Sequence, residues 1–585
     1  MSWGQIAVDF SAAYTIITRK EKAAAPNIFF SWIDRRIAET QNPKLVKRLW
    51  RKTLTLQTNR MLADKSRTTN QTGRNSMIII IDFGSQYNQL IARRVREHKV
   101  FCQIEPPTLT VEKVKSLAPD GIILSGGPAS IYSENSPKID PELLNLGIPV
   151  LGICYGLQFM VHTQGGKVER ADKREYGLAM FHPKEAAGLF EGVPEATECW
   201  MSHGDSIKEL PEGFVITGST DNTKVAAIAH KKKKLFGLQF HPEVTHTPKG
   251  KRMLKNFLFN VCDCKRNWTM KSFVKEAVDE IKEAAGDDKV ILGLSGGVDS
   301  SVAAVLIHKA IGKNLYPIFV DNGLLRKGEA DRLKEVFTQN LNMKVRYAKA
   351  SRKFLSGLKG VTDPEKKRKI IGKVFMDVFE EEAKKIKGAK FLAQGTLYPD
   401  IIESVSAFGG PSAVIKSHHN VGGLPKKMKL KLIEPLKYLF KDEVRLLGEE
   451  LGLPGDMVWR QPFPGPGLAI RVIGEVTAKR LSILREVDAL IIEEIRKNDY
   501  YRKLWQSFGV LLPIKSVGVM GDQRTYENII AIRAVTSTDA MTADWARLPH
   551  DMLAVMSNRI INEINGVNRV VYDISSKPPS TIEWE

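Results

Sequence analysis

Short apolar runs that end at glycine-rich turns recur from residue 77 onward, and they constrain the fold of this chain more than any other feature. Residues 77–82 are one such run, and residues 121–125, 148–153 and 290–294 are others. A strand that is apolar on both faces is typical of a parallel sheet with helices packed against each side. The sequence therefore predicts an α/β fold with parallel sheets.

The length and charge of the chain indicate several domains and a distinct N-terminal segment. A chain of 585 residues corresponds to roughly four units at about 150 residues each. Lys and Arg outnumber Asp and Glu by 21, and residues 1–76 carry +9 of that net charge. These residues lack both a regular β/α pattern and the apolar core of a secretory signal. They are interpreted as a basic N-terminal extension with little ordered structure.

Composition excludes several classes of protein. Hydrophobic residues make up 43% of the chain and charged residues 26%, which is ordinary for a globular protein. No apolar run approaches the roughly 18 residues that a spanning helix needs, so no membrane span is expected.

The net positive charge is compatible with nucleic acid, a membrane surface or nucleotides as partners. Five scattered cysteines do not form a disulfide framework, which favours a reducing compartment, and we expect a cytoplasmic protein.

One of those cysteines lies where a buried strand must turn into a helix. Gly152 and Gly156 flank Cys154, and small residues on both sides of a nucleophile permit a tight elbow. The helix dipole stabilises a thiolate at this position. The amide of Tyr155 would face a developing oxyanion, and the glycine loop that contains Gly127 is expected to supply a second donor.

A histidine and a glutamate follow a later strand that is predicted to end at Phe240. Residues i and i+2 of an extended chain face the same side, so Glu243 can orient the ring of His241. His241 can then accept the thiol proton of Cys154. Alone, each residue is more commonly structural, a small buried hydrophobe or a core histidine. Their combination with two glycine turns favours a cysteine nucleophile with a histidine base.

A second glycine-rich turn follows the strand at residues 290–294. Its glycines let backbone N–H groups converge on an anion at a helix N-terminus, and its serines add hydroxyl donors. The Gly-Lys-Ser/Thr ending of a Walker A loop is absent. The next strand ends at Asp321, at the sheet edge where α/β proteins usually bind ligands. The predicted anion-binding residues are Ser295, Gly296, Gly297, Val298, Asp299, Ser300 and Ser301.

The first constellation resembles the triad-type (class I) glutamine amidotransferases. Residues 152–158 are similar to their nucleophile motif and residues 240–243 to their base motif, within a resemblance that covers about residues 77–262. It implies that Cys154 attacks the amide carbon of glutamine, which yields a thioester and free ammonia. Residues 82–86 and 202–205 are similar to family loops near the glutamine pocket.

The second constellation resembles the loop of the N-type ATP pyrophosphatases, which cleave ATP between the α and β phosphates. The resemblance implies that the loop holds the departing pyrophosphate while a substrate oxygen is adenylylated, so ATP is the expected co-substrate. Magnesium prefers oxygen ligands and phosphate, and Asp299 is expected to share Mg²⁺ with the pyrophosphate.

Over residues 77–585, the order of motifs resembles the glutamine-hydrolysing GMP synthases. The resemblance rests on residues 368–372, 395–403, 415–421, 463–468 and 577–584. It implies that xanthosine 5′-monophosphate (XMP) is adenylylated at its C2 oxygen and aminated to GMP, with L-glutamine, XMP and ATP as substrates. The implied XMP contacts are Arg368, Gln506, Arg569, Lys577 and Glu583, and the implied lid over the ATP site contains Lys416, His418 and His419.

The same resemblance implies three domains after the extension at residues 1–76. They are an amidotransferase α/β domain at residues 77–267, an adenine-nucleotide α-hydrolase-like parallel-sheet domain with ATP pyrophosphatase activity at 268–463, and a smaller α+β domain at 464–585. The last is similar to the family's dimerisation domain, in which a partner tail completes the nucleotide site, so a homodimer is expected. Neither a membrane nor nucleic acid is required.

Two alternatives to this interpretation stay open. One is a different adenylating enzyme, either tRNA-modifying or NAD-forming. The other is a non-catalytic nucleic-acid-binding protein, which only the basic charge favours. The intact Cys154, His241 and Glu243 set and the complete anion loop argue against the second alternative.

Overall fold

A computed structural model describes residues 75–184, 188–404, 430–520, 522–537 and 540–585. The compact unit that these residues form begins at Ser76. The predicted basic extension and the predicted lid residues Lys416, His418 and His419 lie outside the described residues.

A mixed sheet forms the first part of the fold. Its strands are β1 (Met77–Ile81), β2 (Phe101–Glu105), β3 (Gly121–Leu124), β4 (Val150–Ile153), β5 (Lys167–Pro183), β6 (Thr197–Glu209), β7 (Phe214–Thr220), β8 (Ala227–His230) and β9 (Leu235–Leu238). They lie in the order β2-β1-β3-β4-β9-β8-β7-β5-β6. The five strands from β2 to β9 in that order pair in parallel, and the remaining pairs are antiparallel.

Helices cover the parallel half of this sheet. They are α1 (Asn88–Glu97), α2 (Val111–Leu117), α3 (Tyr155–Thr163) and α4 (Gly250–Asn256), with 3₁₀ turns at Pro141–Asn145 and Gly188–Phe190 and a π turn at Phe257–Val261. Every residue of β1, β3 and β4 is buried, as expected for strands covered on both faces. The predicted apolar runs are therefore central strands of a parallel sheet.

A second sheet is parallel throughout. Its strands are β10 (Lys289–Leu294), β11 (Leu315–Asp321), β12 (Arg346–Lys349), β13 (Ala389–Ala393) and β14 (Lys431–Ile433), in the order β12-β11-β10-β13-β14. Its helices are α5 (Met270–Ala285), α6 (Val298–Ile311), α7 (Glu329–Lys334), α8 (Ser351–Leu358), α9 (Pro364–Lys384), α10 (Tyr398–Ser404), α11 (Lys441–Glu450) and α12 (Gly455–Val458).

The third sheet belongs to an α+β region. Its strands are β15 (Gln506–Met520), β16 (Gln523–Thr536), β17 (Asp544–Trp545) and β18 (Val567–Tyr572), and its helices are α13 (Ala478–Lys497) and α14 (His550–Glu563). β16 pairs antiparallel with β15 and β17, and parallel with β18. The predicted fold class, two α/β parts followed by an α+β part, is confirmed.

The proline- and glycine-rich segment at residues 461–467 packs beside the end of β11 in the second sheet. Gly467 has φ +64°, and a Cβ there would overlap the carbonyl oxygen of Leu324. Buried residues of the second sheet, of helix α13 and of the third sheet belong to one hydrophobic core, among them Ile318, Leu484 and Ile530. No helix in the described residues is long and apolar enough to cross a membrane.

Candidate functional site

Cys154 is held in a strained conformation between β4 and α3. Its backbone has φ 49° and ψ −106°, which is unfavourable for a side chain with a Cβ. A Cβ on Gly152 would lie 2.7 Å from the amide nitrogen of Leu157, and one on Gly156 would overlap the carbonyl oxygen of Leu124. The two flanking glycines are thus required by close backbone contacts, as the elbow interpretation predicted.

His241 and Glu243 form a buried pair beside the thiol. The Nδ1 atom of His241 lies 2.7 Å from Oε1 of Glu243, and the two residues are 4% and 0% exposed. The strand ends at Leu238 and not at Phe240, and Glu243 lies in a turn. The expected contact therefore forms through a turn of the backbone and not through extended geometry. The ring of Tyr87 meets the His241 ring edge-on at 5.2 Å between centroids.

The environment of His241 stabilises its charged form. Burial of the ring by itself lowers the pKa, but the carboxylate of Glu243 and the adjacent Cys154 sulfur outweigh it and raise the pKa of His241 to about 11. A protonated imidazole next to the sulfur stabilises a thiolate.

Sequence analysis missed two glutamines, Gln239, which contacts the thiol, and Gln158, which contacts Gln239. The Sγ atom of Cys154 lies 3.5 Å from the carbonyl oxygen of Ser202 and 3.8 Å from Nε2 of Gln239. Gln158 donates from Nε2 to Oε1 of Gln239 at 3.3 Å, which sets the amide orientation of Gln239. A signal was available, since Gln158 ends the nucleophile motif and Gln239 lies two residues before His241.

A cavity of about 400 Å³ opens beside Cys154. Gly127 and Tyr155, the predicted oxyanion donors, both line it, and so does the predicted glutamine-pocket loop at residues 202–205. In this loop, burial lowers the pKa of His203, whose Nε2 lies 3.6 Å from a carboxylate oxygen of Glu175. Cys154 and both predicted oxyanion donors therefore line one cavity.

The anion loop lies at the C-terminal edge of the second sheet. β10 leads into it, Gly296 has φ +79°, and α6 begins directly after Gly297. Hydroxyl contacts close the turn, with Ser295 Oγ and Ser300 Oγ 2.9 Å apart. The loop therefore has the strand–turn–helix form that was predicted.

Cations flank this loop. Lys441, the first residue of α11, lies 2.6 and 2.7 Å from the two carboxylate oxygens of Asp299. Arg460 donates to the carbonyl oxygen of Gly296 at 2.6 Å and pairs with Glu329 at 2.8 Å. Neither cation was predicted, because each lies more than 140 residues along the chain from the loop.

Three of the five predicted XMP contacts meet around the C-terminal residues. Gln506 donates to Oε1 of Glu583 at 2.6 Å, and Arg368 donates to the carbonyl oxygen of Glu585. The fully buried Arg471, which sequence analysis missed, binds both carboxylate oxygens of Glu583 at 2.8 and 3.0 Å.

The other two predicted XMP contacts lie elsewhere within this chain. Lys577 donates from Nζ to the carbonyl oxygen of Ala540 at 2.8 Å, and Arg569 is exposed on β18. Within one chain, Arg368, Gln506 and Glu583 therefore lie close together, whereas Arg569 and Lys577 lie apart from them.

The fold and the site define a class I glutamine amidotransferase joined to an ATP pyrophosphatase-type domain. Residues 79–261 match the family described as Glutamine amidotransferase class-I, residues 268–354 match NAD synthase, and residues 493–584 match the GMP synthase C terminal domain.

Curated relatives identify the family more closely. The chain is 59% identical over 508 residues to "GMP synthase [glutamine-hydrolyzing]" of Brachyspira hyodysenteriae, covering 87% of this chain and 99% of that protein. It is 58% identical over 510 residues to the protein of the same name from Carboxydothermus hydrogenoformans, covering 87% and 100%. The match to that of Maridesulfovibrio salexigens is 57% over 513 residues, covering 87% and 99%. The chain belongs to the glutamine-hydrolysing GMP synthase family.

Proposed function

We propose that this chain is a ligase that aminates XMP to GMP, with glutamine as the nitrogen donor and ATP cleaved to AMP and pyrophosphate. The observation that carries the proposal is the buried His241–Glu243 pair next to Cys154 on its strained elbow. The names of the relatives support the choice of product. The three domains have the boundaries given above, at residues 77–267, 268–463 and 464–585.

The amidotransferase site releases ammonia in two steps. The Cys154 thiolate attacks the amide carbon of glutamine, and the amides of Gly127 and Tyr155 stabilise the oxyanion. His241 gives a proton to the departing ammonia, which leaves a thioester. Water, deprotonated by His241, then hydrolyses the thioester to glutamate and restores the thiolate. Glu243 keeps the imidazole oriented through both proton transfers.

The synthetase site activates XMP. The loop from Ser295 to Ser301 binds the β- and γ-phosphates, the C2 oxygen of XMP attacks the α-phosphorus, and pyrophosphate leaves. Ammonia then adds at C2, and AMP departs with the former C2 oxygen. The family resemblance implies a lid that contains Lys416, His418 and His419, which lie outside the described residues, and a lid of this kind would exclude water from the adenylate.

Asp299 is the carboxylate of the anion loop that fits Mg²⁺. Its side chain is part-exposed at the start of α6, and the ion would be held by this carboxylate together with phosphate oxygens. The described residues contain no cluster of three or more His, Cys, Asp or Glu that could hold a metal without such help. When bound, the ion would neutralise charge on the phosphates.

XMP is bound by Arg368, Gln506 and Glu583 of one chain, and by Arg569 and Lys577 of a second copy in a homodimer. Exposed apolar side chains on the β15–β16 hairpin support dimerisation, because an apolar patch of this kind marks an interaction surface. They include Ile514 and Val519, which are 58% and 72% exposed. The enzyme acts in the cytoplasm and does not require nucleic acid.

Cys154→Ala tests the proposed function. Thioester formation needs the sulfur, so glutamine-dependent GMP formation should be lost, whereas GMP formation from ammonium salt should persist at the parent rate. Cys264→Ala is the matched control, since this thiol is 8% exposed against 6% for Cys154 and lies outside the site. GMP formation from glutamine by Cys154→Ala would contradict the proposal.

A further inference from the structure

Ser125 is a fully buried residue between β3 and the glycine loop of the amidotransferase site. Its backbone N–H donates to the carbonyl oxygen of Ile81 at 3.1 Å, and its carbonyl oxygen accepts from the amide of Gly156 at 3.0 Å. The backbone of Ser125 therefore joins β1 to the first turn of the nucleophile helix α3, and its hydroxyl is left for other contacts.

The positions of two backbone groups determine where the Ser125 hydroxyl proton lies. Oγ is 3.0 Å from the amide nitrogen of Phe83 and 2.8 Å from the carbonyl oxygen of Gly126. The Phe83 amide can only donate and the Gly126 carbonyl can only accept. The hydroxyl thus accepts from Phe83 and donates to Gly126.

This hydrogen bond fixes the orientation of the next peptide group. In a trans peptide the C=O and the following N–H point in opposite directions. With the Gly126 carbonyl held by the buried Ser125, the N–H of Gly127 is turned away from that carbonyl. Gly127 lines the cavity beside Cys154 and Tyr155, and Gly126 does not.

Close packing limits the freedom of this loop. A Cβ on Gly127 would lie 2.7 Å from the carbonyl oxygen of Phe83. The Phe83 ring in turn meets the ring of Tyr155 at 5.1 Å between centroids. Phe83 therefore links the Gly127 loop to the start of α3, where the second oxyanion donor lies.

We propose that Ser125 is a positioning residue for the oxyanion hole. Its hydroxyl holds the Gly126–Gly127 peptide with the Gly127 N–H directed toward the cavity before glutamine binds. Because the donor is oriented in advance, no reorganisation is needed when negative charge develops on the amide oxygen. This inference rests on the proposed glutaminase function of Cys154 and adds the group that orients one of its donors.

Ser125→Ala separates this role from a purely structural one. Loss of the hydroxyl should lower kcat for glutamine hydrolysis by about 10- to 100-fold, since loss of one oxyanion donor costs up to about 10³-fold. KM for glutamine should stay within about twofold. Alkylation of Cys154 by iodoacetamide, in which the sulfur displaces iodide from a methylene carbon, develops no oxyanion and should keep its rate.

Two further variants complete the experiment. Ser125→Cys keeps a weaker hydrogen-bond donor at the same place and should give a kcat between those of wild type and Ser125→Ala. Its kcat tests the inference even if Ser125→Ala fails to fold. Ser516→Ala is the matched control, because Ser516 donates to the carbonyl of the next residue in the same way but lies on β15. It should leave glutamine hydrolysis unchanged.

A wild-type kcat in Ser125→Ala, or a parallel loss of the alkylation rate, would overturn the inference. Failure of the proposed function would be seen separately, as glutamine use by Cys154→Ala. GMP formation from ammonium salt should be normal in every Ser125 variant, because the synthetase site does not use the oxyanion hole.

Discussion

At the scale of single residues, the pKa of His241 has a consequence for stability. The pKa of His241 is about 11 in the folded chain, whereas the ordinary pKa of histidine is 6.5. Below pH 6.5 the imidazole is charged whether the chain is folded or unfolded, so the pair with Glu243 contributes its full stabilisation. As the pH rises from 6.5 to 11 the unfolded chain loses the proton and the folded chain keeps it, so this contribution decreases and is lost above 11.

Glu243→Gln should therefore lower Tm most near pH 6, and the gap to wild type should narrow as the pH rises toward 10. Scanning calorimetry at several pH values measures that gap. Asp221→Asn is the control, because its pair with His182 is exposed and should contribute little at any pH. A gap that widened with pH would contradict the assigned pKa.

Asp299 gives a second prediction at this scale. Asp299→Ala removes the carboxylate that Lys441 holds, at the start of the helix that follows the anion loop. AMP formation should fall by at least about 100-fold with either nitrogen donor, because adenylylation precedes amination. The assay is ATP-to-AMP conversion with XMP and ammonium salt.

A neutral control for Asp299→Ala is Glu381→Ala. Glu381 pairs with Lys353 on the surface and should leave the rate unchanged. Near-normal AMP formation by Asp299→Ala would mean that ATP binds elsewhere.

The backbone geometry around a predicted site residue could be predicted where the residues that shape it are close in sequence. Gly152, Cys154 and Gly156 form one turn, and the tight packing expected of its two glycines is present. Lys441 could not be found in the same way, because it reaches Asp299 only after the chain has crossed the second sheet. The catalytic and binding roles themselves stay predictions until the variants above are measured.

At the scale of elements, a buried ion pair joins α1 to α11. Arg96 donates from a terminal nitrogen to Glu443 at 3.0 Å, and Trp268 donates to the same carboxylate oxygen at 2.6 Å. The guanidinium also stacks on the Phe101 and Trp268 rings at 4.4 and 4.6 Å. Helix α1 packs on the first sheet and helix α11 belongs to the second, so this ion pair links the two parts of the fold.

Both helices also reach a candidate site. Arg94 of α1 donates to the carbonyl oxygen of Glu243 at 3.0 Å, and Lys441 of α11 pairs with Asp299. The Arg96–Glu443 contact is therefore one of the contacts that hold the two sites in their relative position in this structure.

Arg96→Met should destabilise the chain by about 3–5 kcal/mol, since it leaves the Glu443 carboxylate buried without its partner. The double variant Arg96→Met/Glu443→Gln should recover part of this loss, because it removes the uncompensated charge. Calorimetry of the full chain measures the shifts in Tm. Arg332→Met, which removes an exposed ion pair, should have little effect. Equal destabilisation by the single and double variants would contradict this account.

Elements with strong local signals were predicted well. Residues 271–285, closed by Gly286, have a helical pattern in the sequence, and helix α5 spans Met270–Ala285 with Thr269 as its N-cap and Gly286 as its C-cap. The α1–α11 contact was not predictable, because Arg96 and Glu443 are 347 residues apart and a single sequence carries no signal for their pairing.

At the scale of the whole molecule, the remaining question is what residues 1–76 add. Every predicted site residue lies after Met77, and β1 begins there. The preceding residue is nevertheless integrated. Ser76 is 7% exposed, its amide donates to Asn267 Oδ1 at 3.1 Å, and its Oγ accepts from the amide of Lys265 at 2.8 Å. A cut before β1 leaves the ladder hydrogen bonds of the sheet intact but removes these two contacts.

We therefore expect a chain that begins at Met77 to fold, dimerise and make GMP from glutamine at the parent rate. The two lost hydrogen bonds should cost about 1–3 kcal/mol of stability. A second chain that begins at Asn75 keeps both bonds and is the control for that cost. The removed segment carries a net charge of +9. Any affinity of the chain for DNA or RNA should therefore fall on truncation, and the component of binding that is lost should be the one that weakens with salt.

Steady-state assays, light scattering and nucleic-acid binding at two salt concentrations test these outcomes on the same preparations. If both truncated chains are folded but fail to use glutamine, the basic N-terminal extension is part of the enzyme and the domain boundary at residue 77 is wrong. If only the chain that begins at Met77 is impaired and the one that begins at Asn75 is normal, the defect is the loss of the Ser76 contacts. If the nucleic-acid affinity does not change, the binding is due to residues 77–585, which carry a net charge of +12.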